Sequence, residues 1–380
     1  MKKGNNINKA KDIFEMFLKK ISLIVKIYIL SGLIFSCSVE DVEPEDQYDD
    51  TFTGQNPTQT IGFGVYAPTA LGKVQTSPQT FGIRNDKKLS EYEAIATNVS
   101  PFNTDEFPDF KPVVFIQVTE RKDIFMGSGT LVHPKWILTA AHNFILPEES
   151  KILPALSKIR ILVGNDPNKP IKTLNVAEII LHPHWINSDG GFEKGTDLAL
   201  VRLTEAITDI KPSVINYDLI GEKDKSFTWS CGFGDYSQQT GQNKDDFSKK
   251  HAMVNVLDRI KSDLKTTVNG KSYNGGLLAF DFDAPDGKYN TLGDNIVNDQ
   301  ERELGKGNSA PEALEMEGGT VSGDSGGPIF IKINGVWTVC GVLHGGIDNV
   351  AAGLKDSSFG DISVYCRTAS AKDWLQSIIK

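Results

Sequence analysis

The hexapeptide Gly323-Asp324-Ser325-Gly326-Gly327-Pro328 constrains this chain more than any other stretch. Glycines around a single serine leave no Cβ to obstruct an approaching ligand, and they permit a turn tight enough to aim two backbone N–H groups at one point. Those donors are expected from Gly323 and Ser325. A hydroxyl displayed in this way is a weak nucleophile without a base, and the base needs a third group to orient it, so the motif demands a histidine and an acid elsewhere. Thr139-Ala140-Ala141-His142 follows the apolar run Trp136-Ile137-Leu138 and reads as a strand that delivers a histidine at its end. Asp197 opens Asp197-Leu198-Ala199-Leu200-Val201-Arg202-Leu203, an alternating strand with an acid at its start. Asp189 is a nearby rival acid, but it lacks an apolar strand behind it.

The order His142, Asp197, Ser325 is that of chymotrypsin, not of subtilisin or the α/β-hydrolases. Gly127-Ser128-Gly129-Thr130-Leu131-Val132 precedes the histidine, Leu181-His182-Pro183 precedes the aspartate, and Gly232-Phe233-Gly234 stands where the family often has Gly-Trp-Gly. On these residues the stretch 95–380 resembles the chymotrypsin/trypsin-like serine proteases, and Glu317-Gly318-Gly319 resembles a bacterial branch of them. The resemblance implies an all-β fold of two packed antiparallel six-stranded β-barrels with a short C-terminal helix. It puts His142 and Asp197 on the first barrel and Ser325 on the second, with a cleft between them. It also implies a serine endopeptidase working through an acyl-enzyme, with no cofactor and no metal.

The resemblance further assigns a side-chain pocket whose floor is Gly319, six residues before Ser325. A glycine there offers no charge for an arginine or lysine. The favoured expectation is an open neutral slot, formed by Gly319, Gly345 and Gly346, for an apolar or small side chain. The alternative is that Thr320 and His344 bind a glutamate, as Thr and His do in glutamyl endopeptidases. That family's histidine stands one residue earlier, where this chain has Leu343, and a one-residue shift along a strand turns a side chain to the opposite face. A third expectation is that His344 packs near Asp197. For activation, the resemblance pairs a freed amine at Ile95 with Asp324. The usual basic residue before the cut is missing, so either another protease acts or Asp324 has a different partner, such as a lysine.

At the start of the chain, lysines precede an apolar stretch from Ile27 through Phe35 that is too short to span a bilayer and reads as a signal peptide. Its end, Ile34-Phe35-Ser36-Cys37, resembles a bacterial lipoprotein signal with Cys37 as the acylated residue; Met16 is an alternative start, and an ordinary cysteine the alternative reading. The acidic run from Glu40 to Asp50 suits a solvated tether. After a lipidation cysteine it also resembles the surface-export signal of Bacteroidetes-type lipoproteins. The expected organisation is a signal at 1–37, a tether and linker or pro-segment at 38–94, and the protease unit at 95–380. The expected location is the bacterial cell envelope, as an outer-membrane lipoprotein that is surface-exposed or secreted.

The net charge of −9, with 49 acidic against 40 basic residues, leaves no electrostatic footprint for nucleic acid. The expected partners are protein or peptide substrates and, through the anchor, a membrane; the chain itself is expected to be a monomer. Four cysteines are few for a secreted relative: Asn143 and Val321 stand where the family often has cysteines. In the implied fold Cys340 and Cys366 lie on neighbouring strands, which permits a bridge and leaves Cys231 free. Asp281-Phe282-Asp283-Ala284-Pro285-Asp286-Gly287 has alternating carboxylates but lacks EF-hand spacing, so a solvated turn is favoured over a calcium loop. The competing class is a surface-binding lipoprotein on a protease fold whose site is silenced by loops.

Overall fold

The computed structural model describes residues 80–120, 123–145, 152–187, 194–236, 247–293, 304–309, 311–347 and 357–380. The signal with Cys37, the acidic tether, Asp189 and the glutamine-containing run at 238–246 lie outside the described residues.

The first barrel is made from β1 (Val113–Glu120), β2 (Asp123–His133), β3 (Trp136–Thr139), β4 (Ile159–Val163), β5 (Lys172–Leu181) and β6 (Ala199–Leu203). It closes in the order β1-β2-β3-β6-β5-β4, with β4 pairing back onto β1. The strand β1 is apolar on both faces because both are covered. Val114, Ile116 and Val118 fill the barrel with Ile137, Ile161 and Val201. Val113 and Phe115 instead join a second cluster that includes Trp229, Phe233 and Phe330 of the other barrel. Period-two geometry thus divides one strand between two cores. Each of these large side chains contributes about 1.5–3 kcal/mol on full burial.

The second half holds β7 (Val214–Ile215), β8 (Phe227–Gly232), β9 (His251–Val256), β10 (Arg259–Val268), β11 (Lys271–Asp281), β12 (Pro328–Ile333), β13 (Val336–Ile347) and β14 (Ile362–Arg367). Its path runs β10-β11-β14-β13-β12-β8-β9, with β7 added in parallel on β13. Only Leu257 and Asp258 separate β9 from β10, and their backbones face different neighbours. Leu257 N–H donates to Ser226 O at 2.9 Å beside β8, and Asp258 N–H to Ala279 O at 3.0 Å in β11. A single bent strand therefore carries the chain from one edge to the other, and counting it once gives the expected six antiparallel strands. The short C-terminal helix is also present.

Three short helices complete the described fold: α1 (Leu89–Ala96), α2 (Pro183–Asn187) and α3 (Lys372–Ile378). Trp374 and Leu375 of α3 join the cluster that spans both barrels. The expected start of the protease unit at 95 falls inside α1, and the residues before it are part of the packed fold. Gly319 N–H donates to Gly82 O at 2.9 Å, Gly82 N–H donates to Ser357 O at 2.6 Å, and Ile83 bridges Gly318. Tyr92 Oη donates to Glu317 O at 2.8 Å. The apolar residues Ile83, Tyr92 and Ile95 supply the reason, since all three are buried in the spanning cluster.

Cys231, Cys340 and Cys366 are all free and buried, so the 340–366 bridge is not formed. The register opposes Cys366 to Val342 rather than to Cys340, and the two thiols pack in different clusters. Burial raises the pKa of each thiol, which keeps all three protonated and unreactive.

Candidate active site

Register brings the first two site residues together. Thr139 at the end of β3 pairs with Ala199 at the start of β6, so the residues just beyond each strand end are neighbours. His142 occupies the short 3-10 turn Ala141–Asn143, and its backbone N–H donates to Asp197 Oδ1 at 2.9 Å. Its Nδ1 lies 2.5 Å from Asp197 Oδ2. Asp197 is fully buried, and the same Oδ2 lies 2.6 Å from Nδ1 of His344 in β13. Burial opposes the charge on Asp197, but the His142 and His344 imidazoles outweigh it and hold the carboxyl well below its usual range. Burial likewise disfavours the His142 imidazolium, yet the charge and hydrogen bond of Asp197 prevail and raise its pKa.

Ser325 is tied to the first barrel through its backbone. Its carbonyl accepts from Ser128 N–H at 2.8 Å and from Asn143 Nδ2 at 2.9 Å. Asn143, next to His142, also donates to Thr139 Oγ1 at 3.0 Å, so an amide supplies a tie where the family often has a disulfide. Ser128 Oγ donates to Gly323 O at 3.0 Å and accepts from Phe233 N–H at 3.0 Å. Gly323 has φ +98°, a conformation that disfavours any side chain. Among the described residues the N–H groups of Gly323 and Ser325 have no protein acceptor, and Ser325 Oγ is not hydrogen-bonded to His142. Such bonds commonly tighten only when substrate is bound.

In the uncleaved chain Ile95 has no free amine to offer Asp324. Ile95 lies buried in α1, with its carbonyl accepting from Asn98 N–H. The Asp324 carboxylate accepts from Gly234 N–H at 2.8 Å and Val321 N–H at 3.0 Å, and His251 Nε2 lies 3.0 Å from its Oδ1. The nearby Lys250 is engaged elsewhere, donating to Phe110 O at 2.9 Å.

Ser325, Gly319, Thr320, Gly345 and Gly346 line one cavity of about 290 Å³, together with Asp361. A Cβ at Gly345 would meet nothing within 4 Å, whereas one at Gly319 would touch Phe282 at 3.1 Å. Thr320 Oγ1 pairs with Ser363 Oγ at 2.9 Å. The structure thus brings Thr320 to Ser363 and His344 to Asp197, and does not join the two in a carboxylate clamp. Sequence reasoning missed Asn143 and Ser128 as ties, His251 as the neighbour of Asp324, and Asp361 and Ser363 in the pocket. No local pattern marks them, because each acts across a long loop.

The acidic segment is not a solvated turn. Asp281 and Asp283 are buried, because Phe282 and Ala284 between and beside them pack on Phe359. Asp281 Oδ2 accepts from Leu292 N–H at 2.8 Å, and Asp258 lies alongside, its Oδ2 facing Asp281 N–H at 3.3 Å. Burial and mutual repulsion raise the carboxyl pKa of Asp258 and Asp283, while burial dominates for Asp281.

Among the described residues, His142, Asp197 and His344 offer donor atoms within 4.8 Å of one another. Their nitrogen-to-oxygen spacings of 2.5 and 2.6 Å are those of hydrogen bonds. Two ligands at ~2.0–2.1 Å on one tetrahedral zinc would stand about 3.3 Å apart. The cluster as it stands is bridged by protons.

A two-barrel fold with a histidine–aspartate pair beside a glycine-framed serine defines the chymotrypsin-like class. Residues 104–375 match the family described as Trypsin, and the chain belongs to that family. It is 27% identical over 257 residues to a mouse tryptase, covering 66% of this chain and 77% of that one. It is 26% identical over 264 residues to the urokinase-type plasminogen activator of the chicken, covering 67% of this chain. The chain spans about half the length of that second relative.

Proposed function

We propose that this chain is a serine endopeptidase in which Ser325 attacks the peptide carbonyl, His142 carries the proton and Asp197 orients His142. The observation that supports this best is the buried Asp197 carboxylate receiving both the backbone N–H and Nδ1 of His142. That arrangement fixes the proton on Nδ1 and leaves Nε2 as the basic nitrogen. In acylation Oγ bonds to the carbonyl carbon, its proton passes to His142 Nε2, and the same proton goes to the departing amine as the C–N bond breaks. Water then repeats the sequence on the acyl-enzyme. The N–H groups of Gly323 and Ser325 receive the carbonyl oxygen, each contributing about 2.7–4 kcal/mol in comparable sites.

The substrate side chain enters the cavity floored by Gly319, and a neutral apolar or small residue suits it. A glutamate would face Asp361 in the lining and find His344 already engaged with Asp197. The chain acts from the bacterial envelope, anchored through acylated Cys37. Labelling with a fluorophosphonate probe tests the catalytic reading: wild type should be labelled and Ser325→Ala should not. An unlabelled wild type would favour a silent binding protein on the same fold. Incorporation of a palmitate analogue, lost in Cys37→Ser, tests the anchor.

A further inference from the structure

Asp324 separates the two proposed oxyanion donors, so whatever holds its carboxylate also holds Gly323 and Ser325. The carboxylate is buried and packs directly on backbone. An added Cβ at Gly232 would lie 2.2 Å from Oδ1, and one at Gly234 would lie 2.6 Å from Oδ2. This close approach explains why Gly232-Phe233-Gly234 carries glycine on both sides. Val321 N–H and Gly234 N–H bind the carboxylate, and Asp324 N–H returns to Val321 O at 3.0 Å. Two amide donors leave acceptor capacity on a buried carboxylate, which calls for a further polar partner.

The one positioned for it is His251, at the start of β9. It is fully buried, with Nε2 3.0 Å from Asp324 Oδ1 and the ring edge-on to Tyr236 at 4.6 Å between centroids. The contact is close but not aligned as a straight N–H···O bond. Lys250, one residue earlier, donates to Phe110 O and lies 5.6 Å from the Phe233 ring centroid.

The segment that a released amine would have to come from is fixed in place. Ile95 is within α1, which packs on β9 itself. The residues before it are bonded to Gly319, Glu317 and Leu314 by Gly82, Tyr92 and Arg84. Cutting before Ile95 and withdrawing its amine would dismantle contacts beside the pocket floor.

We propose that His251 is the built-in partner of Asp324, a positioning residue that holds the 321–325 turn in its working conformation while the Ala94–Ile95 bond stays intact. Maturation by cleavage at that bond is then unnecessary. This rests on the serine endopeptidase reading, and the experiment separates the two. The full chain is treated with a fluorophosphonate and examined by intact-mass spectrometry, alongside His251→Ala and His251→Gln, with kcat and KM on one peptide substrate.

The expected adduct lies on a species that still carries the Ala94–Ile95 bond. His251→Ala should lower kcat by about 10²-fold, the loss typical of one misplaced oxyanion donor, with KM changed far less. His251→Gln, which keeps an N–H near Asp324, should recover part of that loss. If the alanine variant does not fold, the glutamine variant alone decides, with an intermediate kcat at unchanged KM as the supporting result. Labelling only of chains cut before Ile95 would overturn the inference and leave the protease reading standing. So would a folded His251→Ala protein of unchanged kcat. A wild type unlabelled both cut and uncut would overturn both.

Discussion

His344 Nδ1 lies 2.6 Å from Asp197 Oδ2, the same oxygen that receives Nδ1 of His142. One buried carboxylate thus serves two imidazoles. Because His142 must be neutral to accept a proton and its pKa is raised, kcat/KM should be lost as pH falls through that raised value. In His344→Ala the oxygen is no longer shared, so its field falls on His142 alone and the acid limb should move to higher pH. A pH profile of kcat/KM on one neutral substrate checks this. An unmoved limb, or one displaced to lower pH, would show that His344 does not act through Asp197.

Ser325→Ala should reduce kcat by roughly 10⁴–10⁶, with His142→Ala costing a comparable amount. The double variant should be little worse than either single one, since the residues act as one unit. Single-turnover assays on the three proteins test this; multiplicative losses would argue that the two side chains do not work on the same proton.

The Asp197–His142 pair was legible because it depends on short-range pattern, a histidine and an acid placed at strand ends that register brings together, whereas the two barrels followed only from the resemblance those motifs carry. What escaped the sequence lies in relations across distant segments. Asn143 looks like a missing cysteine until its amide is found on Ser325 O, which is 182 residues away. Asp281 and Asp283 read as solvated because charge is a surface signal, and the packing of Phe282 on Phe359 that buries them depends on a loop far along the chain. The helix around Ile95 is held by Tyr92 reaching Glu317, 225 residues on, a tie that no local pattern marks.

The Asp258–Asp281 pair makes an opposite demand on pH from that of Asp197. Burial, reinforced for Asp258 by the neighbouring Asp281, raises both carboxyl pKa values, so the folded protein holds protons that the unfolded chain releases above about pH 4. Stability therefore falls as pH rises from there towards the raised folded values. Asp258→Asn supplies a neutral group of the same shape and should flatten that decline, with a higher Tm than wild type near pH 8. Thermal unfolding between about pH 5 and 8 measures it. Parallel curves for the two proteins would mean that the pair does not hold an extra proton.

Substrate preference turns on which groups in the cavity are still available to a ligand. Thr320 Oγ1 is paired with Ser363 Oγ, His344 Nδ1 is on Asp197, and Asp361 adds an acid to the lining. Among the described residues that line the cavity Asp361 is the acid and none is Lys or Arg, which disfavours a glutamate side chain, so kcat/KM for a matched Ala, Leu, Gln, Glu and Lys series should place Ala and Leu first and Glu last. Asp361→Asn should improve the Glu substrate by roughly tenfold, equal to about 1.4 kcal/mol, and change Ala and Leu little. His344→Ala should leave the ranking intact even as it moves the pH profile. A wild type preferring Glu over Gln a hundredfold would overturn the neutral slot. A strong preference for Lys would overturn it too, and would make Asp361, not the glycine floor at Gly319, the residue that selects the substrate.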